Sequence, residues 1–233
     1  MPQCPLSVVC QQHFIPKPLS NSLSPMHLKH LITLLLFITA SLNAQSIKPD
    51  TVINMGVYKS YYNYALKQPL YVTYALYKGG GGCNRDDENF SFKKCGIKTA
   101  EDIDYAGNLL DKGHLANAED FAYDCDKVEK TFCYFNCVPQ TVKLNRGVWK
   151  TWEVKTRVLS QTIKLFVVAG SIYGNKTIGP NQIGVPAYCY KIVLNAITKK
   201  IIYCIIFPNN DSKTYKKITL ATLKNKLNYQ LVP

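Results

Sequence analysis

Histidine and arginine are both scarce in this chain of 233 residues. Of its four histidines, His13, His27 and His30 lie in the first thirty positions, so the rest of the chain holds one imidazole, His114. Any acid–base task for imidazole in that remainder falls to this residue. The only arginines are Arg85, Arg146 and Arg157, within a basic total of 28. Lysine is a compact point charge, whereas arginine offers a planar fork that grips phosphate or carboxylate through two bonds. Each of the three arginine positions therefore matters. Acidic residues are few, 15 against the 28 basic ones, for a net charge of +13. A long apolar run is also missing. The stretch Leu31–Ala40 covers about ten residues, and a membrane-crossing helix needs ~20.

That short run fits an export signal. Met26–Ala44 reads MHLKHLITLLLFITASLNA, with Lys29 and His30 before the apolar segment and small residues after it. We expect translation from Met26, since residues 1–25 do not suit the front of a signal, and cleavage after Ala44. The alternative is a buried N-terminal helix. No cysteine follows the cut, which disfavours a lipid anchor. The expected product is one domain, residues 45–233, secreted or periplasmic and long enough to bury a core. Losing Lys17 and Lys29 lowers the net charge from +13 to +11. A strongly basic exported domain suggests a polyanion partner: nucleic acid, acidic polysaccharide or a membrane surface. The plain alternative is a solvated basic face.

Export leaves Cys83, Cys95, Cys125, Cys133, Cys137, Cys189 and Cys204. The number is odd, and an oxidising destination favours up to three disulfides with one thiol left over. Zinc at Cys125, Cys133 and Cys137 is disfavoured by the lack of a paired CxxC knuckle. A hairpin turning between Ala196 and Ile197 would set Cys189 opposite Cys204, so we expect those two to bond. Cys83 with Cys95 is the next expectation. Two small buried apolar side chains are the alternative for the first pair.

Strands are expected at 69–78, 131–140 and 164–174, and a hairpin over 186–209. Helices are expected at 145–161, with Asn145 as N-cap, and at 216–227. Residues 79–95 read as a loop that opens on four glycines. There are no internal repeats and no long linker. The class is α+β. Within the first helix, Asn145, Trp149, Glu153 and Arg157 recur every four residues and form one slowly drifting stripe. On the helix alone, this reads as an exposed polar face with a Glu153–Arg157 ion pair.

The middle third carries a motif series. It runs Asp111-Lys112-Gly113-His114, then Asn136-Cys137-Val138-Pro139-Gln140, then Asn145-Arg146-Gly147 with Trp149, Glu153 and Arg157 in step. In order and spacing this resembles the DNA/RNA non-specific endonucleases, whose signature is D-R-G-H, N-x-x-P-Q and N-x-G-x-W-x-x-x-E-x-x-x-R. The likeness covers roughly residues 58 to 230. Two positions depart from it: Lys112 stands where arginine is usual, and Asn117 where many members have proline.

The resemblance implies a central antiparallel sheet flanked by helices, with a ββα metal motif. It implies His114 as general base and Asn145 as direct ligand of Mg²⁺ (Mn²⁺ being possible), with Glu153 holding the ion's waters. Arg157 and Arg85 are expected to clamp phosphate, and Lys112 to supply charge. Asp111 and Gly113 would shape the loop behind His114. Asn136 would either orient the site or hold the turn. Trp149 is expected in the core, and Glu119 and Asp120 as surface carboxylates. The substrate would be DNA and/or RNA. No base-reading module is evident. The rival readings are a nucleic-acid-binding protein that does not cut, and an exported phosphodiesterase acting on a non-polymer.

Overall fold

A computed structural model describes residues 47–84, 88 and 90–231. The expected signal segment and Arg85 lie outside the described residues. Seven strands form an antiparallel sheet: β1 (Thr51–Asn54), β2 (Lys59–Asn63), β3 (Gln68–Leu76), β6 (Leu165–Ile178), β7 (Ile183–Asn195), β8 (Ile201–Pro208) and β9 (Lys216–Lys217), in that spatial order. Two further strands, β4 (Leu110–His114) and β5 (Cys137–Thr141), pair as a separate antiparallel ribbon. Four α-helices lie wholly within the described residues: α1 (Asp102–Tyr105), α2 (Cys125–Lys130), α3 (Lys150–Ser160) and α4 (Leu220–Lys224). The α+β expectation holds, and β4, β5 and α3 make the ββα unit.

Strand side chains alternate between faces, and here each face has its own core. Val72, Tyr74, Val167, Ala169, Cys189, Val193 and Phe207 face Leu115, Val138, Trp149 and Trp152 of the ββα unit. The intervening Tyr71, Tyr190, Ile192 and Cys204 face α4 and Tyr229. Asn209, just past β8, fastens the ribbon to the sheet. Its Nδ2 donates to Pro139 O and Pro186 O, both at 2.9 Å, and its Oδ1 accepts from Thr141 N at 2.9 Å.

Several expected boundaries shift. The strand foreseen over 131–140 begins at Cys137, because Asn136 curls the preceding segment. Its Nδ2 donates to both Thr131 O and Ala116 O at 2.9 Å. Asn136 thus holds the turn. The helix foreseen from Asn145 begins as a π-helical turn over Leu144–Trp149, with Gly147 non-helical (φ −108°, ψ −110°). Asn145 does not cap it. Its amide turns to Asp111, and Leu144 N donates to Thr141 Oγ1 at 3.3 Å. The basic tail helix is shortened to α4, because Lys216 and Lys217 pair with the edge of β8.

The disulfide expectations are overturned. Cys83 bonds Cys125, Cys95 bonds Cys133, and Cys137, Cys189 and Cys204 are free and buried. Two physical reasons explain this. Asn195 Oδ1 accepts from Ile197 N and Thr198 N, which widens the hairpin turn, so Cys189 lies opposite Phe207 and Cys204 opposite Ile192. An odd offset on a strand puts the two cysteines on opposite faces. The 79–95 loop, meanwhile, is laid along residues 122–134. Cys83 N donates to Ala122 O at 2.9 Å, Lys93 N to Phe132 O at 3.0 Å and Tyr134 N to Lys93 O at 3.0 Å. Each loop cysteine therefore meets a neighbour across this seam, not the other end of its own loop. Gly81 makes the approach possible: its φ is +148° and an added Cβ would lie 2.2 Å from Ala122 O. Zinc at Cys125, Cys133 and Cys137 falls with the same two disulfides.

Candidate active site

The ribbon, the π-helical turn and α3 enclose a cavity of ≈ 450 Å³. Asp111, Lys112, His114, Asn145, Glu153 and Arg157 line it together, with Phe92, Phe132, Arg146 and Lys150. The sequence spacing therefore converges on one place. Gly113 and Asn136 support it from behind. A Cβ at Gly113 would lie 2.2 Å from Gln140 Oε1, so a larger residue there would have to displace the buried Gln140 side chain.

His114 ends β4 and is held from three sides. Its ring lies 4.7 Å from that of Phe92 and 4.8 Å edge-on from that of Phe132. Its carbonyl accepts from Trp149 Nε1 at 3.1 Å. The next residues are pinned by Asn136: Leu115 N donates to Asn136 O and Ala116 N to Asn136 Oδ1. Trp149 is fully buried, as expected of a core residue.

Asn145 Nδ2 donates to Asp111 Oδ2 at 2.9 Å, and Arg146 binds the same carboxylate through Nε and Nη2, both at 2.8 Å. Burial works to raise the Asp111 carboxyl, but the Arg146 and Asn145 bonds outweigh it and the net direction is down. With its donor end fixed on Asp111, the Asn145 amide has its carbonyl oxygen left for a ligand. Among the described residues no three of His, Cys, Asp and Glu converge as a saturated metal cage. The donors offered are one neutral amide oxygen and the nearby Glu153 carboxylate. That set suits a hard cation that keeps several waters and dehydrates reluctantly. It does not suit a thiophilic one, since no cysteine is among the residues that line the cavity.

The helix stripe is not an exposed face. Glu153 is 6% exposed, and Thr156 and Ser160 are buried beside it. Burial raises the Glu153 carboxyl, opposed by Lys191, Asn117 and Arg157. Arg157 does not pair with Glu153 at short range. Its Nη1 lies 3.0 Å from Asp120 Oδ1 and 3.5 Å from Asn117 Oδ1. Asp120 is therefore no surface carboxylate. It is completely buried, accepts from Tyr74 OH at 3.0 Å, and burial pushes it up to about 6 against the pull of Lys191 and Arg157. Glu119 is half-buried on the cavity wall. Asn117 caps the 3₁₀ turn Ala118–Phe121, its Oδ1 accepting from Glu119 N at 2.8 Å, which gives a proline-free start to that turn.

Lys112 is tied to α1. Its ammonium pairs with Asp102, whose oxygen also accepts from Tyr134 OH, and it sits 5.4–5.8 Å from the rings of Phe92, Tyr105 and Tyr134. Hydrogen bonds from Lys112 and then Tyr134 hold the Asp102 carboxyl below its ordinary value. Sequence reasoning missed Phe92, Asp102 and Lys150, gave Arg146 no role, and took Asp120 for a surface acid. Nothing in the spacing points to Phe92, which lines the cavity from the disulfide-fastened loop, or to Asp102 of α1, which holds the Lys112 ammonium. It also missed Lys191, for which a signal was present: a lone charge inside the apolar run YCYKIVL.

Among the described residues no helix is long and apolar enough to cross a membrane. Mitochondrial endonuclease G of Bos taurus is 29% identical over 108 residues, 41% of this chain and 36% of the bovine protein. Mitochondrial nuclease EXOG of Xenopus laevis is 30% identical over 109 residues, 41% of this chain and 30% of that protein. The matched stretch thus spans about a third of each relative. A chain in the solved EndoG/EndoGI complex, described as showing the mechanism of EndoG inhibition, superposes with a TM-score of 0.68 at 22% identity. It covers 76% of this chain and 84% of that one, a likeness of fold. The profile of one family matches residues 40–230. The chain belongs to the DNA/RNA non-specific endonuclease family.

Proposed function

We propose that this chain is an exported, metal-dependent endonuclease that hydrolyses phosphodiester bonds of DNA and/or RNA without reading sequence. The observation that carries the reading is the cavity itself. One wall holds the wedged imidazole of His114, another the amide of Asn145 with Glu153 behind it, and Arg157, Arg146 and Lys150 line the same space.

In this reading His114 takes the proton of the attacking water. Its two aromatic neighbours hold the ring and the Trp149 bond fixes its backbone, so that little reorganisation is needed at reaction. Asn145 Oδ1 and Glu153, the latter through water, would hold Mg²⁺, or Mn²⁺ in its place. The ion would supply charge to the phosphate and the leaving oxygen. Arg157 is oriented by Asp120, which leaves its other donors for phosphate oxygens. Lys112, parked on Asp102, contributes positive charge at the rim in place of the two-bond grip of arginine. Arg85 is carried here by the family resemblance. Its loop leaves the sheet beside Arg157, where an added Cβ on Gly80 would lie 3.5 Å from Arg157 Cδ. The excess of lysine supports sequence-blind, salt-sensitive binding.

Export rests on the Met26–Ala44 signal and agrees with two disulfides near the cavity, since such bonds persist in oxidising compartments. Nicking of supercoiled plasmid with and without EDTA tests the proposal. Cutting that EDTA stops is expected. Binding without cutting, or cutting that EDTA leaves unchanged, contradicts it.

A further inference from the structure

Lys191 is a fully buried charge that the proposed chemistry leaves unused. It sits in the middle of β7 with 0% exposure. Its Nζ makes no hydrogen bond among the described residues. It lies 4.0 Å from Glu153 Oε1 and 4.4 Å from the centroid of the Trp149 ring. An apolar side chain would fill such a position without the cost of stripping water from an ammonium, and replacing buried ions by apolar groups is often neutral or stabilising. A charge kept there calls for a reason.

The neighbourhood supplies one. Four charged groups meet behind the cavity: Glu153, Arg157, Asp120 and Lys191. Arg157 is committed to Asp120 at 3.0 Å, and Asp120 also holds Tyr74. Lys191 also attracts Asp120, but the carboxylate within 4.0 Å of it is Glu153, which it faces from the sheet side. The 4.0 Å separation is long for a direct hydrogen bond yet short for a charge–charge attraction in a water-poor interior. The same ammonium lies over Trp149, whose indole donates to the carbonyl of His114. Lys191 thus touches supports of both halves of the cavity while lining none of it.

We infer that Lys191 is a positioning residue, whose fixed charge holds the Glu153 carboxylate against the cavity wall from inside the protein. The inference rests on the reading of Asn145 and Glu153 as the cation-holding groups. It assigns Lys191 no contact with substrate.

The test is Mn²⁺ binding followed by electron paramagnetic resonance, with the whole chain as purified and no substrate present. Glu153→Gln should weaken binding by about 10–100-fold, the usual worth of a group that orients a cation's waters. Lys191→Met, similar in volume and uncharged, should weaken it by about tenfold on the same account. The double variant Lys191→Met/Glu153→Gln should bind as Glu153→Gln alone does, because Lys191 acts only through Glu153. Wild-type affinity in Lys191→Met, or losses that multiply in the double variant, would overturn the inference.

If Lys191→Met does not fold, the double variant still decides, since it leaves no uncompensated buried charge. A double variant that fails to fold where Glu153→Gln folds would also overturn the inference, because Lys191 would then serve the core. Asn145→Ala, measured alongside, separates the two levels of the argument. Unchanged binding there defeats the functional reading and the inference with it. Lost binding there, with wild-type binding in Lys191→Met, defeats the role of Lys191 alone.

Discussion

Tyr190 and Lys191 are neighbours on β7 and point to opposite faces of the same sheet. Behind Tyr190 the buried tyrosine hydroxyls are neutral and satisfied. Tyr190 OH meets Tyr229 OH at 2.8 Å, and Tyr229 OH also reaches Leu70 O at 3.0 Å and Ser171 O at 2.9 Å. Tyr173 OH donates to Pro69 O at 2.8 Å. Burial keeps the hydroxyls of Tyr190 and Tyr229 well above their ordinary range, so they stay protonated. Behind Lys191 the picture reverses. Charges are buried, and Lys191 Nζ and Trp152 Nε1 lack hydrogen-bond partners, each such omission costing about 1–3 kcal/mol. The far face is arranged for stability. The near face gives some stability away, next to the cavity where chemistry is proposed. One strand separates the two tasks because its side chains alternate.

If the division is real, substitutions on the two faces should move different observables. The largest effect belongs to the cavity. His114→Ala should lower turnover by about 10²–10⁴-fold, the usual contribution of a general base, with Tm near that of the wild type. Near-normal plasmid cleavage by this variant would break the comparison at its functional end. On the far face, Tyr229→Phe removes one hydroxyl from three partners. It should cost about 1–3 kcal/mol, a fall in Tm of several degrees for a domain of this size, and leave turnover unchanged. A loss of activity with no loss of stability would show that the two faces are not separate.

The smallest effect sharpens the charged side. Asp120 sits at about 6 in the fold against an ordinary 3.8. The folded chain therefore holds this proton more tightly than the unfolded chain does. The associated stability is fully present below about pH 4 and is lost as pH rises through 6. In thermal melts between pH 4 and 7, the wild type should lose Tm relative to Asp120→Asn as pH rises. A constant difference between the two would contradict the buried, strained character of that carboxyl.

How much of this was legible in the sequence depends on what each feature rests on. The cavity residues were legible through the family resemblance, which rests on motifs of short-range spacing; the helix stripe alone read as an exposed face. Asp111 to His114 occupy one strand, and steps of four from Asn145 stay on one side of a helical segment even when its first turn is π-helical. The alternating apolar runs likewise led to β3, β6 and the β7–β8 hairpin. What failed was set by contacts across the fold. The cysteine pairs depend on a loop lying along residues 122–134 and on the width of one turn at Asn195. Asp120 looked like a surface acid because Arg157 and Tyr74, which make its burial tolerable, are 37 and 46 positions away in sequence. Lys191 could have been flagged as a charge inside an apolar strand, but its neighbour Glu153 lies on another element.

The most direct test of the central claim, that the ββα cavity is a cation-dependent phosphodiester-cleaving site, is the Mg²⁺ dependence of plasmid cleavage by wild type and Asn145→Ala at fixed ionic strength. Asn145→Ala should be inactive at low Mg²⁺ and recover in part at high Mg²⁺, because one oxygen ligand is missing while His114 and the basic rim remain. Superimposable Mg²⁺ curves for the two proteins would contradict the account.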